Sequence, residues 1–408
     1  MKRFRIIFLG IVALSFAVGQ WLNVSMSAKT PDEAALLKDM VPDARFSAKG
    51  WMPPHYSSEG LIAFNTYDLV PSIRGYAGPI KLLVVMDRSG FIRGVRIIGH
   101  RETKNYIHFM ESSEYLARLA GKHPSEPFQQ GRDIDAISRA TVSVDALAKT
   151  LKGASALAAS SLLGLDVKGE AGAGASDYRP FVYGAFFVVS FAFYFATRKT
   201  PEYSIARDIS LAVSIVVLGI YLSSPFSVLH VFSLILGGFS SSALWYTLII
   251  SVALSVIAAG RFYCGWLCQF GALCEFAGRM PVSKWEMSSD TDEKCRRLKY
   301  VVLGLVTALV LISGRPDYGN YEVYVTLFSF HGSWPAWLLV FAMLIANLKV
   351  KRFWCRYLCP VAALSGLFSR QDAGYVSRSD CPMSNTPNPH ISECIRCNRC
   401  YKGSLIKP

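Results

Sequence analysis

The stretch that decides the fold reads RFYCGWLCQFGALCEF at residues 261–276, and it returns in altered form as KRFWCRYLCPVAALSG at residues 351–366. Each copy follows a long apolar run and opens with a basic residue and an aromatic residue. Each copy then carries two cysteines with three residues between them. Thiol pairs of this kind at the ends of two apolar runs predict a site for a metal ion or an iron–sulfur cluster.

A third cysteine motif lies near the carboxyl terminus, where ECIRCNRC at residues 393–400 has the spacing C-x2-C-x2-C. This spacing matches the ligand run of a [4Fe–4S] cluster, in which a tight loop wraps three irons. The position of the usual fourth ligand is Ser404, so Cys381, which precedes a proline, is the leading candidate for the fourth ligand. Eight cysteines then suffice for two [4Fe–4S] clusters. We assign Cys381, Cys394, Cys397 and Cys400 to one cluster and Cys264, Cys268, Cys355 and Cys359 to the other.

Zinc ligation and inert buried cysteine are the alternatives to iron–sulfur ligation. Structural zinc sites prefer two well-separated pairs of ligands, and a run of three closely spaced cysteines fits a cluster better. Because the motifs of two-cluster ferredoxins exchange ligands, the identity of the eight ligands is firmer than their division. Cys274 is close enough in sequence to be a substitute ligand, and Cys295 has no clear role.

The chain is too apolar for a single soluble domain, since 52% of its 408 residues are hydrophobic. An apolar run of about 18 residues or more spans the hydrocarbon core of a bilayer. Six spans are predicted, at residues 6–22, 180–197, 209–226, 243–260, 299–314 and 334–349. The first is interpreted as an uncleaved signal anchor, because its apolar stretch is long and Gln20-Trp21-Leu22 is a poor cleavage site. The apolar stretch 226–242 predicts an interfacial or re-entrant helix.

The formal net charge of +14 reflects the topology of these spans. Basic residues cluster at one set of span ends, from Lys2 and Arg3 at the start to Lys351 and Arg352 after the sixth span. The positive-inside rule therefore places the amino terminus in the cytoplasm, and no nucleic-acid partner is expected. All ten cysteines then fall in cytoplasmic segments. Disulfides are disfavoured there, which favours metal ligation.

The predicted extracytoplasmic part, residues 23–178, reads as an α+β domain. A short helix is expected within 30–50 and another at 111–121, and residues 80–100 alternate around the turn Asp87-Arg88-Ser89-Gly90 as a β-hairpin does. A longer helix begins at Thr141. Its apolar positions recur at helical spacing, at Val144, Leu147, Leu151, Ala154 and Ala158. A Gly/Ala/Ser linker at 168–180 joins this domain to the second span.

The two cysteine pairs at the ends of membrane helices resemble those of the NosR/NirI- and NapH-type membrane polyferredoxins, and the chain length is also similar to that of the C-type accessory proteins of reductive dehalogenases. Gln269 departs from the pattern, since it replaces the proline that follows the second cysteine. The resemblance implies electron transfer between the quinone pool, [4Fe–4S] clusters and an extracytoplasmic partner.

The stretch DIDAISRATVSV, residues 133–144, resembles the flavinylation motif D-x-x-[ST]-G-A-[ST] of this family and of the Rnf and Na⁺-translocating quinone reductase complexes. Arg139 replaces the glycine of the motif. The resemblance implies that a flavin transferase joins FMN phosphate to Thr141, with Asp135, Ser138 and Ala140 in the recognition motif. It also implies that five further residues form the flavin pocket, namely Gly75, Gly78, Pro79, Glu102 and Thr103. The alternative is that Ser138 and Thr141 merely cap a helix.

The sequence thus predicts an α-helical integral membrane protein with about six transmembrane helices, an extracytoplasmic α+β FMN-binding domain and cytoplasmic ferredoxin-like [4Fe–4S] segments. The domains are expected at 1–22 (signal anchor), 23–178 (FMN-binding domain), 179–260 (helices two to four), 261–298 (cytoplasmic cysteine loop), 299–349 (helices five and six) and 350–408 (cytoplasmic iron–sulfur tail). The expected location is the bacterial cytoplasmic membrane.

The function implied is that of an electron-transfer flavo-iron–sulfur oxidoreductase component. It would link quinol or the clusters to the covalent FMN and serve a respiratory reductase or its maturation. The expected partners are membrane lipid, the quinone pool, a flavin transferase and an extracytoplasmic reductase or other redox subunit. The rival interpretations are a redox-sensing regulator or assembly factor and a zinc-bearing scaffold. Because roughly 30 Å of hydrocarbon would separate cytoplasmic clusters from FMN, an intermediate carrier such as bound quinone is also expected.

Overall fold

The computed structural model of the protein describes residues 2–26, 32–51, 53–75, 78–100, 102, 104–137, 141–167, 177–196, 203–240, 242–285, 287–369 and 394–398. The chain forms an α+β domain and a larger helical part. The helical part begins with α1 (Lys2–Met26) and resumes at α7 (Arg179–Ala196).

The α+β domain is built on a five-stranded antiparallel sheet in the order β1-β2-β3-β4-β5. Its strands are β1 (Ser47–Trp51), β2 (Pro54–Ser58), β3 (Leu61–Asn65), β4 (Lys81–Asp87) and β5 (Ile92–Gly99). The predicted hairpin is confirmed, with Val84 opposite Val95. At its turn, the Asp87 carboxylate accepts the backbone N–H groups of Ser89 and Phe91, both at 2.9 Å. Burial raises the pKa of Asp87, but these bonds and Arg93 outweigh it and hold that pKa below its usual value.

Helices cover both faces of this sheet. The domain contains α2 (Glu33–Met40), α3 (Thr66–Leu69), α4 (Lys104–Met110), α5 (Ser113–Ala117) and α6 (Thr141–Leu163). The five apolar positions predicted on α6 are all 0% exposed and pack with Leu82, Val84 and Met86 of β4. Leu83 and Val85 point to the other face and pack with Leu37 of α2. The alternation along β4 therefore fixes which helix covers which face.

In the helical part, α8 (Tyr203–Val213) continues as a π-helical segment (Ser214–Tyr221). It is followed by α9 (Val228–Ile235), α10 (Ala243–Ala259), α11 (Phe262–Trp266) and α12 (Gln269–Gly278). The last five helices are α13 (Ser289–Ser313), α14 (Val323–Ser329), α15 (Trp334–Lys349), α16 (Phe353–Tyr357) and α17 (Pro360–Phe368).

Three helices in the described ranges are long and apolar enough to cross a membrane, over Phe4–Trp21, Arg179–Ala196 and Ser204–Tyr221. The pair α14 and α15, bent by 107°, would make a fourth span if it counts as one. The α10 helix is apolar but has only 17 residues, and the first half of α13 is charged. The six-span count therefore stays a prediction.

The segments predicted as a cytoplasmic loop and tail contain short helices that are buried among the longer ones. In the first copy of the motif these are α11 and α12, and in the second they are α16 and α17. Cys264, Cys355 and Cys359 belong to the main buried core of the helical part. In the stretch 226–242, α9 also packs inside the protein, with Val228 and Phe232 buried against α13 and α17.

Candidate functional site: a four-thiol cavity below an FMN-type loop

The two cysteine repeats converge on one cavity. Cys264 lies in α11 and Cys355 in α16, while Cys268 and Cys359 are the N-cap residues of α12 and α17. All four cysteines line this cavity, which we call the thiol cavity, together with Arg261, Arg352, Phe226 and Tyr324. The structure therefore brings together the four side chains that the sequence assigned to one cluster.

Each repeat places a thiol at the N-terminus of a helix. The backbone N–H of Gly271 donates to Cys268 Sγ at 3.3 Å, and that of Ala362 donates to Cys359 Sγ at 3.4 Å. The free N–H groups and the dipole at a helix N-terminus favour a thiolate over a thiol. The thiolate is the form that binds iron.

Buried cations surround the thiols. Arg261 and Arg352 both line the thiol cavity and are each 1% exposed. Arg352 Nη1 donates to the Cys264 carbonyl at 3.1 Å, and its Nε has no hydrogen-bond partner among the described residues. A buried charge is costly unless a counter-charge lies nearby, so two guanidinium groups here fit an anionic centre held by four thiolates.

A carboxylate holds one of these arginines in place. Glu275 accepts both terminal nitrogens of Arg207, at 2.6 and 2.5 Å, and also accepts Arg352 Nη2 at 2.5 Å. Since Glu275 belongs to the first repeat and Arg352 to the second, this ion pair fastens the repeats to each other. Arg207 and Glu275 are not among the residues predicted from the sequence, although a glutamate in the apolar run after Cys274 was a usable signal.

The arrangement fits a cluster better than a single metal ion. A zinc ion with bonds of about 2.3 Å would draw its sulfur ligands to within about 4 Å of one another. Within the described ranges, no three Cys, His, Asp or Glu side chains converge closely enough to hold one ion. Four thiols spread around a shared cavity are the donor set of a polynuclear iron–sulfur centre.

The tail motif docks on the first repeat. Ile395 lines the thiol cavity, and Trp266 Nε1 donates to the Arg396 carbonyl at 3.0 Å. Gly265 allows this approach, because a Cβ atom there would overlap the carbonyl oxygen of Ile395. Cys394 and Cys397 therefore lie beside the thiol cavity, whereas Cys381 and Cys400 fall outside the described residues.

The two cysteines left over from the assignment differ in their surroundings. Cys274 is fully buried, and its thiol lies close to that of Cys355. Cys295 lies on α13 and is partly exposed. Cys274 therefore contacts a predicted ligand without lining the cavity, and Cys295 offers a control position.

Three of the predicted flavin residues, Gly75, Gly78 and Glu102, lie near the N-terminus of α6. Thr141 is the first residue of that helix. Ser143 donates to the buried Glu102 carboxylate at 2.6 Å, and a Cβ atom at Gly75 would overlap the same carboxylate. The Gly75 N–H donates to the Gly78 carbonyl at 2.6 Å. Gly75 and Gly78, which we call the glycine loop, therefore lie together with Glu102 and the first turn of α6.

Of the five remaining predicted flavin residues, the structure describes two. Pro79 follows the glycine loop and is half-buried, and Ser138, Ala140 and Thr103 lie outside the described residues. Asp135 is exposed and accepts Arg118 Nη1 at 2.7 Å. Its backbone carbonyl accepts Tyr115 Oη at 3.3 Å. Burial, with the Asp135 carboxylate nearby, raises the pKa of Tyr115 to about 12, which keeps that hydroxyl a donor.

The α+β domain contacts the helical part at two places, one of which is the glycine loop. Ser240, which lies before α10, donates to the Gly75 carbonyl at 3.1 Å. The rings of Phe109 and His331 meet edge to face at 4.7 Å. The α+β domain therefore packs against the segments that immediately precede α10 and α15.

Comparisons with known proteins match these two sites. The FMN-binding domain family matches residues 75–156, and the 4Fe-4S binding domain family matches residues 243–288 and 330–376. The first match contains the glycine loop, Glu102 and Thr141. The second contains the four cysteines of the thiol cavity. The chain therefore combines an FMN-binding domain with an iron–sulfur domain, which supports a role in electron transfer.

Relatives of known name share part of the chain. Protein NirI of Paracoccus denitrificans is 34% identical over 171 residues, which are 38% of this chain and 25% of NirI. Regulatory protein NosR of Pseudomonas aeruginosa is 31% identical over 173 residues, or 38% of this chain and 24% of NosR. An uncharacterised protein of Methanocaldococcus jannaschii, MJ0749, is 31% identical over 183 residues, or 39% of this chain and 68% of MJ0749.

The matched part of the chain spans about a quarter of the length of NirI and of NosR. No solved structure matches the chain. With the two domain matches and these relatives, the chain belongs to the NosR/NirI-type family of membrane-bound FMN-binding polyferredoxins.

Proposed function

We propose that the protein carries electrons across the cytoplasmic membrane, between quinol or [4Fe–4S] clusters and a covalently bound extracytoplasmic FMN. The FMN would serve a respiratory reductase or its maturation. The observation that carries the proposal is the thiol cavity, where two repeats place four cysteines inside the helical part. The glycine loop contacts the same helical part, at the segment that precedes α10. A flavin and an iron–sulfur centre in one chain have no simpler joint use than electron transfer.

On the flavin side, Thr141 would hold the FMN phosphate through its hydroxyl. The N-terminus of α6 supplies N–H groups and a positive dipole end, which suit a phosphate. Gly75 gives the close approach that a side chain would block, and Glu102 orients the Ser143 hydroxyl. When bound, FMN supplies the conversion between two-electron and one-electron transfer. The family resemblance alone supports four further residues in this proposal, namely Asp135, Ser138, Ala140 and Thr103.

On the iron side, Cys264, Cys268, Cys355 and Cys359 would hold one [4Fe–4S] cluster. Cys381, Cys394, Cys397 and Cys400 would hold a second cluster beside it. Arg261 and Arg352 would offset the negative charge of the first centre, and the backbone N–H groups at the N-termini of α12 and α17 would stabilise Cys268 and Cys359 as thiolates once they bind iron.

The sidedness and partners belong to the same proposal. Basic span ends favour a cytoplasmic amino terminus, which puts the flavin domain outside, where a flavin transferase would modify it. The quinone pool and an extracytoplasmic reductase are the proposed redox partners. A regulatory or assembly role is the second candidate, because one relative is named a regulatory protein.

The first experiment is in-gel ultraviolet fluorescence of the denatured full chain, co-expressed with a flavin transferase. The wild type is compared with Thr141→Val and with a control on the same helix, Ser160→Ala. Fluorescent bands for the wild type and the control beside a dark Thr141→Val band would support covalent FMN at Thr141. A dark wild-type band in the presence of active transferase would show that Arg139 disrupts the motif.

A second measurement separates the electron carrier from the regulator. Membranes containing the protein are supplied with a short-chain quinol, and the FMN absorbance is followed through repeated turnovers with an added oxidant. Sustained reduction supports the carrier. A single partial reduction without turnover favours the regulatory role.

A further inference from the structure

A large cavity lies where the FMN-binding domain meets the helical part, and nothing in the proposed function yet uses it. Its volume is about 920 Å³, within the usual size range of small-molecule sites. The FMN-binding domain contributes His100, His108 and Glu111 to its lining. The helical part contributes Tyr321, Glu322 and Leu339. We call it the outer cavity.

Glu322 is the unusual member of this lining. It is 2% exposed, and its Oε1 accepts the Val228 N–H at 3.1 Å and the Tyr324 hydroxyl. Its Oε2 has no hydrogen-bond partner in the described part of the chain. A buried carboxylate oxygen without a donor costs free energy. A ligand that brings a hydroxyl donor to Glu322 would remove that cost.

One short segment separates the outer cavity from the thiol cavity. Tyr321 and Glu322 line the outer cavity, and Tyr324 lines the thiol cavity. The ring of Tyr321 also lies 6.3 Å from that of Trp354, which precedes Cys355. A ligand beside Glu322 would therefore be a few side chains from the thiols rather than a full membrane thickness away.

The direction of the short helices explains this closeness. Arg279, just after α12, forms an ion pair with Asp208 in the first turns of α8 at 2.6 Å. In the second repeat, Arg5 of α1 donates to the Ser369 carbonyl just after α17 at 3.0 Å. In the predicted orientation both contacts lie near the cytoplasmic ends of long helices. The N-terminal ends of α12 and α17, with Cys268 and Cys359, therefore point inward toward the outer cavity.

The lining indicates the class of ligand. Leu339 and Ala336 of α15 form an apolar wall, and the neighbouring Leu338 is 60% exposed on the surface that would meet lipid. The rest of the lining includes carboxylates and imidazoles. A molecule with hydroxyl donors on a compact head and an apolar tail matches this combination.

From this geometry we infer that the outer cavity binds a lipid-soluble quinol with one head-group hydroxyl on Glu322; the inference rests on the proposed function. Oxidation of the hydroquinone to the quinone releases two electrons and two protons. One proton passes to the Glu322 carboxylate and the other to water in the open part of the cavity. The electrons would leave one at a time, because a [4Fe–4S] centre accepts one electron. The four thiols of the thiol cavity would hold the first acceptor, which would pass one electron on to the proposed tail centre before the second arrives, so that the two centres together balance the oxidation.

The test uses the full chain in lipid nanodiscs and a short-chain ubiquinone that carries a photoreactive group. Labelled peptides are mapped, and the reduction of the iron–sulfur absorbance by the matching quinol is timed. Ala336→Trp fills the cavity and Glu322→Gln keeps its shape but removes the proton acceptor. Glu293→Gln, an exposed carboxylate on α13, is the control.

We expect labelling near Glu322 in the wild type and a loss of about tenfold in affinity for Ala336→Trp. We expect Glu322→Gln to bind the quinone nearly normally and to slow reduction by quinol about tenfold or more. Reduction by dithionite should be unchanged in every variant, which checks that the iron–sulfur centre is intact.

Two outcomes would overturn the inference and leave the proposed function in place. One is unchanged labelling and reduction in Ala336→Trp and Glu322→Gln. The other is labelling that appears only in Thr141→Val, since the tethered flavin would then occupy the outer cavity. The absence of iron–sulfur absorbance in the wild type would instead refute the proposed function.

Discussion

Residues 261–278 and residues 352–368 repeat each other around the thiol cavity. Arg261 and Arg352 occupy matching positions, as do the two cysteines of each repeat. Both second cysteines are N-cap residues whose sulfur accepts a backbone N–H three residues later. The repeats thus place the same set of candidate ligands twice. They also share apolar residues at matching positions, namely Phe262 and Phe353, Leu267 and Leu358, Ala272 and Ala363, and Leu273 and Leu364.

The surroundings of the repeats differ. The first repeat holds the Glu275 carboxylate and receives the tail loop, 394–398. The second repeat is instead supported by Asp292 of α13, which accepts Arg356 Nη2 at 2.5 Å and the Tyr357 hydroxyl. The first repeat therefore offers a direct contact to the tail motif that would hold the second proposed cluster. Duplication therefore places the same thiols twice around the cavity, while the asymmetric surroundings place the tail motif beside the first repeat.

Removing the carboxylate that joins the repeats should have the largest effect. Glu275→Ala leaves Arg207 and Arg352 as buried cations without their counter-charge, which costs about 3–5 kcal/mol when one partner of a buried pair is deleted. We expect little folded protein and no iron–sulfur absorbance, measured by size-exclusion chromatography and visible spectroscopy. Asp292→Ala should disturb only the second repeat and retain the tail centre. Equal damage from both variants would contradict the asymmetry.

Blocking the tail contact should remove one centre and keep the other. Gly265→Ala puts a Cβ atom into the Ile395 carbonyl, so the tail loop must leave α11. We expect the iron content to fall by about half, with the spectrum of the remaining centre unchanged. Gly278→Ala is the matched control, because its Cβ would meet only the Lys351 side chain at ordinary contact distance. Full iron content in Gly265→Ala would show that the tail does not hold a centre at this place.

Single thiol substitutions compare the repeats most directly. Cys264→Ser and Cys355→Ser occupy matching positions, so both should lose the same centre and the same absorbance. The control Cys295→Ser should keep all of it. Cys274→Ser tests the neighbour of Cys355, and we expect a shifted spectrum with unchanged iron content. A loss in Cys264→Ser alone would mean that the repeats do not share one cluster.

The sequence predicted what depends on local spacing. The repeated motif predicted that four cysteines lie together, namely Cys264, Cys268, Cys355 and Cys359. Helical periodicity predicted the buried face of α6. The Arg207–Glu275 pair could not be predicted, because its members are 68 positions apart. Nor could the inward direction of α12 and α17, since a short apolar helix has no sequence signal for its direction of entry. The six-span count rested on hydropathy and stays a prediction, because α13 joins a charged first half to the apolar stretch predicted as the fifth span.

The smallest predicted effect concerns Gln269, where the first cysteine repeat departs from the family pattern. Gln269 is 1% exposed, and its side-chain oxygen and nitrogen have no hydrogen-bond partner among the described residues. It is the first residue of α12, as Pro360 is of α17, and proline is well tolerated at that position. Cys268 already has the extended conformation that precedes a proline, with φ −69° and ψ 109°.

Gln269→Pro should therefore stabilise the protein by about 1 kcal/mol, since an unpaired buried amide disappears. The thermal unfolding midpoint in detergent should rise slightly while the iron–sulfur spectrum stays the same. The reciprocal variant Pro360→Gln should lower the midpoint by a similar amount. If Gln269→Pro instead changes the spectrum, the amide contacts the cluster. The first repeat would then differ from the second in its ligand environment as well as in its surroundings.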